Sequence, residues 1–466
     1  MKTELTWLWA AGLMLAGGIA SAETYYLDGS QQIDGEAPVS IAFTNSLGAG
    51  FNVNRTGDGS SGDPWTFSFS VLPDVALVDL GPHMLYCEDS PSDPRTFVFD
   101  FAGTNAVGTA GTGIRTYKGT EKRHGDHVKI FNFNDIAIGG INTRQTRTSG
   151  GTAARNAGDV VVGETVPAGS IRVAFVHTQA DNNAGNAGHF TVLGNGDVLI
   201  SDGEASGDIL TYTDSSGEDR VGDVTVVHAG DFLARNIKVW TRCSSGNDTG
   251  SPHLKRSGRI VLDGGSAGGD AVVEGDIQTM HPSTSRNSQQ SFIVIRNYDN
   301  VLIKGDVLAQ YDVDRFNNTR STDLTITNIT GNIDLQGQVN LWASAVAGND
   351  GQMRLACDGV ITLASLDLSK VDYAALSSGS GRSVIEGELL NFNATGSGSG
   401  TLNDPVETTQ SALRAPADQR LLYKVRDGAN AHLEEKVYRV ADEDGEPGQG
   451  GLLMPIPTRG TVLLFF

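Results

Sequence analysis

Cysteine is scarce in this chain. Three residues, Cys87, Cys243 and Cys357, cannot build a disulfide framework for 466 residues. Cys87 and Cys243 are free to pair in an oxidising compartment, whereas Cys357 sits among aliphatic positions and reads as a small core hydrophobe. Basic charge is also short. Lys and Arg number 34 against 55 Asp and Glu, giving a net charge of -21. Such a surface repels nucleic acid and anionic lipid and suits divalent cations. Helix-forming runs are few, and 59 glycines with many Asn, Asp, Ser and Thr leave little room for amphipathic helices. Aromatic residues make up only 7%. Tyr298, Tyr311, Trp240 and Trp342 stack on sugar rings only if one face exposes them; core or loop packing is their ordinary use. No two aspartates are adjacent anywhere. No EF-hand spacing occurs in the acidic loops Asp58 to Asp63 and Asp442 to Glu446.

One long apolar run exists, at the beginning. Lys2, the stretch Leu5 to Ile19 and Ala20-Ser21-Ala22 form the positive end, apolar middle and small-residue cleavage site of a signal peptide over residues 1–22. The expectation is a secreted, extracellular or cell-surface protein with no membrane span after cleavage.

What the chain has in abundance is a recurring glycine. Gly196, Gly222, Gly275, Gly305, Gly331, Gly359 and Gly387 lie 26, 53, 30, 26, 28 and 28 residues apart, the 53 reading as two periods. Two places after them stand Val198, Val224, Ile277, Val307, Ile333, Ile361 and Leu389. A fixed period of this length marks a stacked repeat whose units bury their apolar faces against each other. Short β-branched runs such as Phe292 to Ile295 and Leu324 to Thr327 have the length of strands. The expectation is an all-β, right-handed parallel β-helix. It divides into an N-terminal β domain or cap (23–120), the β-helix (121–400) and a C-terminal β module (401–466). That module ends in an apolar strand suited to docking or self-association.

On this periodicity and on Thr24-Tyr25-Tyr26-Leu27-Asp28, the chain resembles secreted β-helix proteins of the pectin-lyase-like superfamily. The resemblance implies a fold and leaves open activities from lyases and hydrolases to adhesins. The Gly-His-Gly and Arg-x-Lys elements of the superfamily's glycosidase branch have only broken counterparts, Gly188-His189-Phe190 and Arg235-Asn236-Ile237-Lys238. Lyase chemistry needs a base beside a cation-neutralised carboxylate. Lys304 near Asp306 and Arg296, or Lys238 with Arg235, are the candidates, each equally readable as a solvated strand end.

The residue after the repeat glycine is polar in Asp197, Asp223, Asp276, Asp306 and Asn332. In register these would form a row about 5 Å apart, able to bridge calcium or simply to bond turn amides. His124-Gly125-Asp126-His127 offers metal ligands in one turn, or a solvated turn. Two readings of function follow. One is a non-catalytic structural, filament-forming or adhesive protein that binds itself or extracellular polysaccharide. The other is a calcium-dependent polysaccharide lyase.

Overall fold

The structure is a computed structural model. It describes residues 24–26, 51–58, 60, 62–63, 66–71, 77–79, 84–86, 95–108, 113–116, 125–144, 156–163, 169–180, 187–212, 222–240, 258–266, 268–280, 292–308, 323–341, 351–367, 371–379, 382–386, 389–390, 413–414, 420–426, 433–441 and 452–455. Residues 1–22, Cys87, Cys243, Tyr311, Trp342, the loop at Gly246 and the apolar tail after Pro455 lie outside them.

The chain is all-β, without helix among the described residues, and winds as a parallel β-solenoid. Each turn lays one strand on each of three sheets. On the first, Val128 pairs with Val160, Phe190, Val224, Ile260, Ile293, Leu324 and Met353 in succession. On the second, Ile171 leads to Val198, Phe232, Ala271, Val301, Ile333 and Ile361. On the third, Ile141 leads to Val176, Ile209, Ile237, Ile277, Val307 and Val339. These residues form one dry core, most at 0 or 1% exposure. Burial alternates along strands such as Phe190–Leu193 and Val224–Val227, because successive side chains point to opposite faces.

Ile333 and Ile361 sit directly over one another, as the periodicity requires, but Val307 belongs to the neighbouring sheet. The seven glycines therefore do not form one column. Gly196, Gly331 and Gly359 precede strands of the second sheet, Gly222 one of the first, and Gly275, Gly305 and Gly387 strands of the third. A Gly-polar-aliphatic step opens all three faces of a coil, so the sequence repeats three times per turn. Glycine is required there by contact. A Cβ on Gly222 would fall inside the carbonyl of Gly188, and one on Gly337 inside that of Gly305.

Parallel pairing already runs through Thr66–Val71 and Thr96–Val107, within the N-terminal segment. Phe51–Thr56 closes the first sheet there as an antiparallel hairpin. At the other end Arg420–Arg426 stacks on Arg382–Glu386, and Leu433–Ala441 and Leu452–Pro455 follow antiparallel. Antiparallel strands thus cover the first sheet at one end and the second sheet at the other.

Candidate functional site

The polar residues that open each face are bonded from coil to coil. Ahead of the first sheet, the Asp159 amide donates to His127 Nδ1 at 3.0 Å, and the His189 amide to Asp159 Oδ1 at 2.8 Å. The Asp223 amide then donates to His189 Nδ1 at 3.0 Å, and the Arg259 amide to Asp223 Oδ1 at 2.9 Å. Ahead of the second sheet, Asp197 Oδ1 accepts from the Asp231 amide, Asp231 Oδ1 from the Asp270 amide, and Asn332 Oδ1 from the Val360 amide. Ahead of the third, Asn236 Oδ1 accepts from Asp276, Asp276 Oδ1 from Asp306, and Asp306 Oδ1 from Gln338. A backbone donor left unpaired at these corners would carry a desolvation cost, so the side chains complete the sheet ladders sideways.

This corrects the expected single row of carboxylates. Asp276 and Asp306 are neighbours, but Asp197 and Asp223 stand at the two other corners. Among the described residues no group of three or more His, Cys, Asp and Glu is placed to hold a metal ion. Asp126 of the His-Gly-Asp-His turn is not solvated as the turn reading had it. It is buried and paired with Arg95 at 3.1 Å, the two side chains 3% and 2% exposed.

Of the candidate lyase residues, Lys304, Arg235 and Arg296 are bonded across coils, whereas Lys238, on the strand Ile237–Trp240, has no such bond among the described residues. Lys304 Nζ lies 2.9 Å from Glu274, which also accepts from Ser206. Arg235 forms two bonds to Asp208, at 2.8 and 2.6 Å, and Arg296 Nε reaches Asp263 at 2.8 Å. Burial works to raise the Asp263 pKa, but bonds from Asn297, the Gly265 amide and Arg296 outweigh it and hold the carboxyl below its ordinary range.

Sequence reasoning missed two internal features. A column of buried threonines closes successive turns. Thr116, Thr143, Thr178 and Thr211 donate to the carbonyls of Asp126, Gly158, Gly188 and Gly222, which open the following coils. Their signal is a threonine two places beyond a third-sheet aliphatic, visible only once the three faces are separated. The second feature is a buried pair. Tyr298 and His228, 1% and 2% exposed, are joined by a 2.8 Å bond between the hydroxyl and Nε2. Nδ1 of His228 faces the Gly196 carbonyl at 3.3 Å, which makes Nδ1 the protonated nitrogen and Nε2 the acceptor. Burial lowers the His228 pKa and raises that of Tyr298 well above the phenolic value. Tyr298 is thus a core residue, 1% exposed.

Above this pair runs an open groove of about 620 Å³ at the corner between the first and second sheets. Its floor is the stacked column Tyr298, Ile329, Cys357 and Ser378. Cys357 is a free, buried thiol whose pKa burial raises, consistent with a core role. One rim carries Asn297, Asn328, Ala356 and Ser377, the other Asp299, Thr330, Asp358 and Gly379. The loop at Gly265, Ser266 and Gly268 walls one end, with Gly265 and Gly268 at positive φ. The rims step by one strand spacing, about 4.8 Å per coil. The charged residues lining the groove are two aspartates, with no Lys or Arg among the described lining residues.

The architecture defines the class, a capped parallel β-solenoid with a polar corner groove. No family model matches the chain, and neither a curated protein nor a solved structure does.

Proposed function

We propose that the chain is a non-catalytic β-solenoid of the extracellular space or cell envelope, acting as a structural, filament-forming or adhesive protein. Its partners are further copies of itself or an extracellular polysaccharide. The observation that carries this reading is the engagement of the charged residues. Lys304, Arg235 and Arg296, three of the four groups with the chemistry of a lyase base or clamp, each tie one coil to another, and Lys238 alone does not among the described residues. A base for proton abstraction must be free to reach the substrate. The kinship to pectin-lyase-like proteins suggested by the periodicity fits this reading, as a shared scaffold without the shared chemistry. The corner groove supports adhesion. Its amide, hydroxyl and carboxylate rims suit a neutral, hydroxyl-rich chain, whereas a polyuronate would face Asp299 and Asp358 without a compensating cation.

The test is direct. Purified protein is incubated with polygalacturonate and alginate, in calcium and in chelator, while unsaturated products are followed by ultraviolet absorbance. No product is expected. Ordered fibres or retention on an immobilised polysaccharide are expected instead. Unsaturated sugars formed only in calcium would replace this reading with that of a calcium-dependent lyase.

A further inference from the structure

The outer face of the second sheet carries an apolar ladder that the core does not need. Between the buried residues of each strand one side chain points outward, and on four successive coils it is Leu199, Leu233, Val272 and Leu302. These are direct register partners. The same column continues to Arg172 on the coil before and to Asp334 on the coil after. A half-buried aliphatic row on a chain of net charge -21 is therefore bracketed by one cation and one anion. Water-facing aliphatics in contiguous register mark an interaction surface rather than scattered surface residues.

We propose that this face pairs with the same face of a second copy, the two solenoid axes running antiparallel. It deepens the self-association side of the proposed function. A twofold axis between the levels of Leu233 and Val272 lays Leu233 on Val272 of the second copy and Leu199 on its Leu302. The same operation lays each Arg172 on an Asp334. The parallel arrangement instead sets Arg172 on Arg172 and Asp334 on Asp334, so charge selects the antiparallel one. On the flank that follows the strands, Arg235 falls opposite Glu274. On the flank that precedes them, Asp231 falls opposite Asp270, the one like-charge approach. From Arg172 to Asp334 the ladder spans five steps, roughly 24 Å. Such a face is smaller than the ~800 Å² per partner of a standard interface and belongs with reversible contacts, so association is sought between about 1 μM and 1 mM.

Sedimentation velocity of the full chain over that concentration range tests it. A reversible monomer–dimer equilibrium is expected. Leu233→Glu, folded by circular dichroism, is expected to remain monomeric. Arg172→Glu and Asp334→Arg should each weaken the dimer about tenfold or more, and the double variant should recover most of that loss. A monomeric wild type, or single charge variants that the double variant does not rescue, would overturn the proposal. Lyase activity in the earlier assay would remove the structural reading while leaving this equilibrium as measured.

Discussion

The bond between Tyr298 and His228 joins residues 70 apart in sequence at the base of the groove, and its removal has a calculable effect. In Tyr298→Phe the ring and its packing remain, but Nε2 of His228 loses its donor at a site 2% exposed. Leaving a buried acceptor unpaired costs about 1–3 kcal/mol, more than the roughly 1 kcal/mol net value of an ordinary hydrogen bond. Unfolding entropy near 2.1 cal/mol/K per residue makes each kcal/mol worth only about 1–2 °C in a cooperative unit of some 350 residues. Chemical denaturation is therefore the sharper assay, read as a shift of midpoint at constant slope. The companion variant His228→Leu removes the acceptor, and the double variant removes both. If the bond is formed, the double variant loses less than the sum of the singles by about 1 kcal/mol. A Tyr298→Phe protein within about 0.5 kcal/mol of wild type would refute the reasoning, because it would show that His228 is satisfied some other way.

Other consequences are equally open to measurement. His177 packs against Phe175 and burial lowers its pKa to about 4, despite the opposing charge of Asp208. It is neutral when folded and takes a proton in the unfolded chain below about pH 6.5, so its stability contribution is complete above that pH. It is lost as the pH falls towards 4, at up to about 1.4 kcal/mol per unit. His177→Gln should flatten the acid limb of a stability–pH curve in that window. Gly222→Ala drives a methyl into the Gly188 carbonyl and should cost about 3 kcal/mol, at the top of the usual overpacking range. Gly62→Ala, whose new methyl meets only Ser60 Oγ at 4.0 Å, should leave the melting curve within about 0.5 kcal/mol of wild type. Because Asp223, Asp276 and Asp306 already accept backbone amides, melting temperatures in calcium and in chelator should coincide. A rise in calcium would show that the folded chain binds the ion and would overturn this expectation.

The solenoid was legible in the sequence because stacking imposes the same local demand on every coil. Gly305-Asp306-Val307 and Gly331-Asn332-Ile333 look alike because both turn a corner tightly, bond the next coil and start a buried strand. That likeness also concealed the register. Three corners make the same demand, so Val307 and Ile333 read as one column when they belong to two sheets. A spacing of 26 to 30 residues arises by moving between corners as readily as by completing a turn. The Thr116 to Thr211 column and the Tyr298–His228 pair were not legible. Each depends on which faces of different coils coincide, and loops of variable length between the strands hide that from linear spacing. Arg95 and Asp126 show the same limit: a turn rich in metal-ligating types is an ion pair in the core.

The corner rows also explain how so acidic a chain stacks. Two carboxylates one coil apart, about 4.8 Å, repel by roughly 0.9 kcal/mol under water-like screening and several times that in a drier setting. Yet each carboxylate is wanted, since an ionised acceptor binds an amide more strongly than a neutral one. The rows interleave the two. His127, Asp159, His189, Asp223 and Arg259 precede the first sheet, and Asp208, Asn236 and Asp276 the third, where Asp306 then follows Asp276 directly. The second sheet has the least relief, with Asp197, Asp231 and Asp270 on consecutive coils. Asp231→Asn keeps an oxygen for the Asp270 amide and removes two repulsions, but it gives up the stronger charged bond. At 1 M salt the Debye length is about 3 Å, repulsion is screened and the loss should dominate, making the variant less stable. At 0.01 M salt the length is about 30 Å, and relief of repulsion should shift the difference by roughly 1 kcal/mol in the variant's favour. Urea melts at the two salt concentrations measure that shift. A stability difference that does not move with salt would mean that these three carboxylates do not feel one another, and that the alternation ahead of the first sheet is not electrostatic in origin.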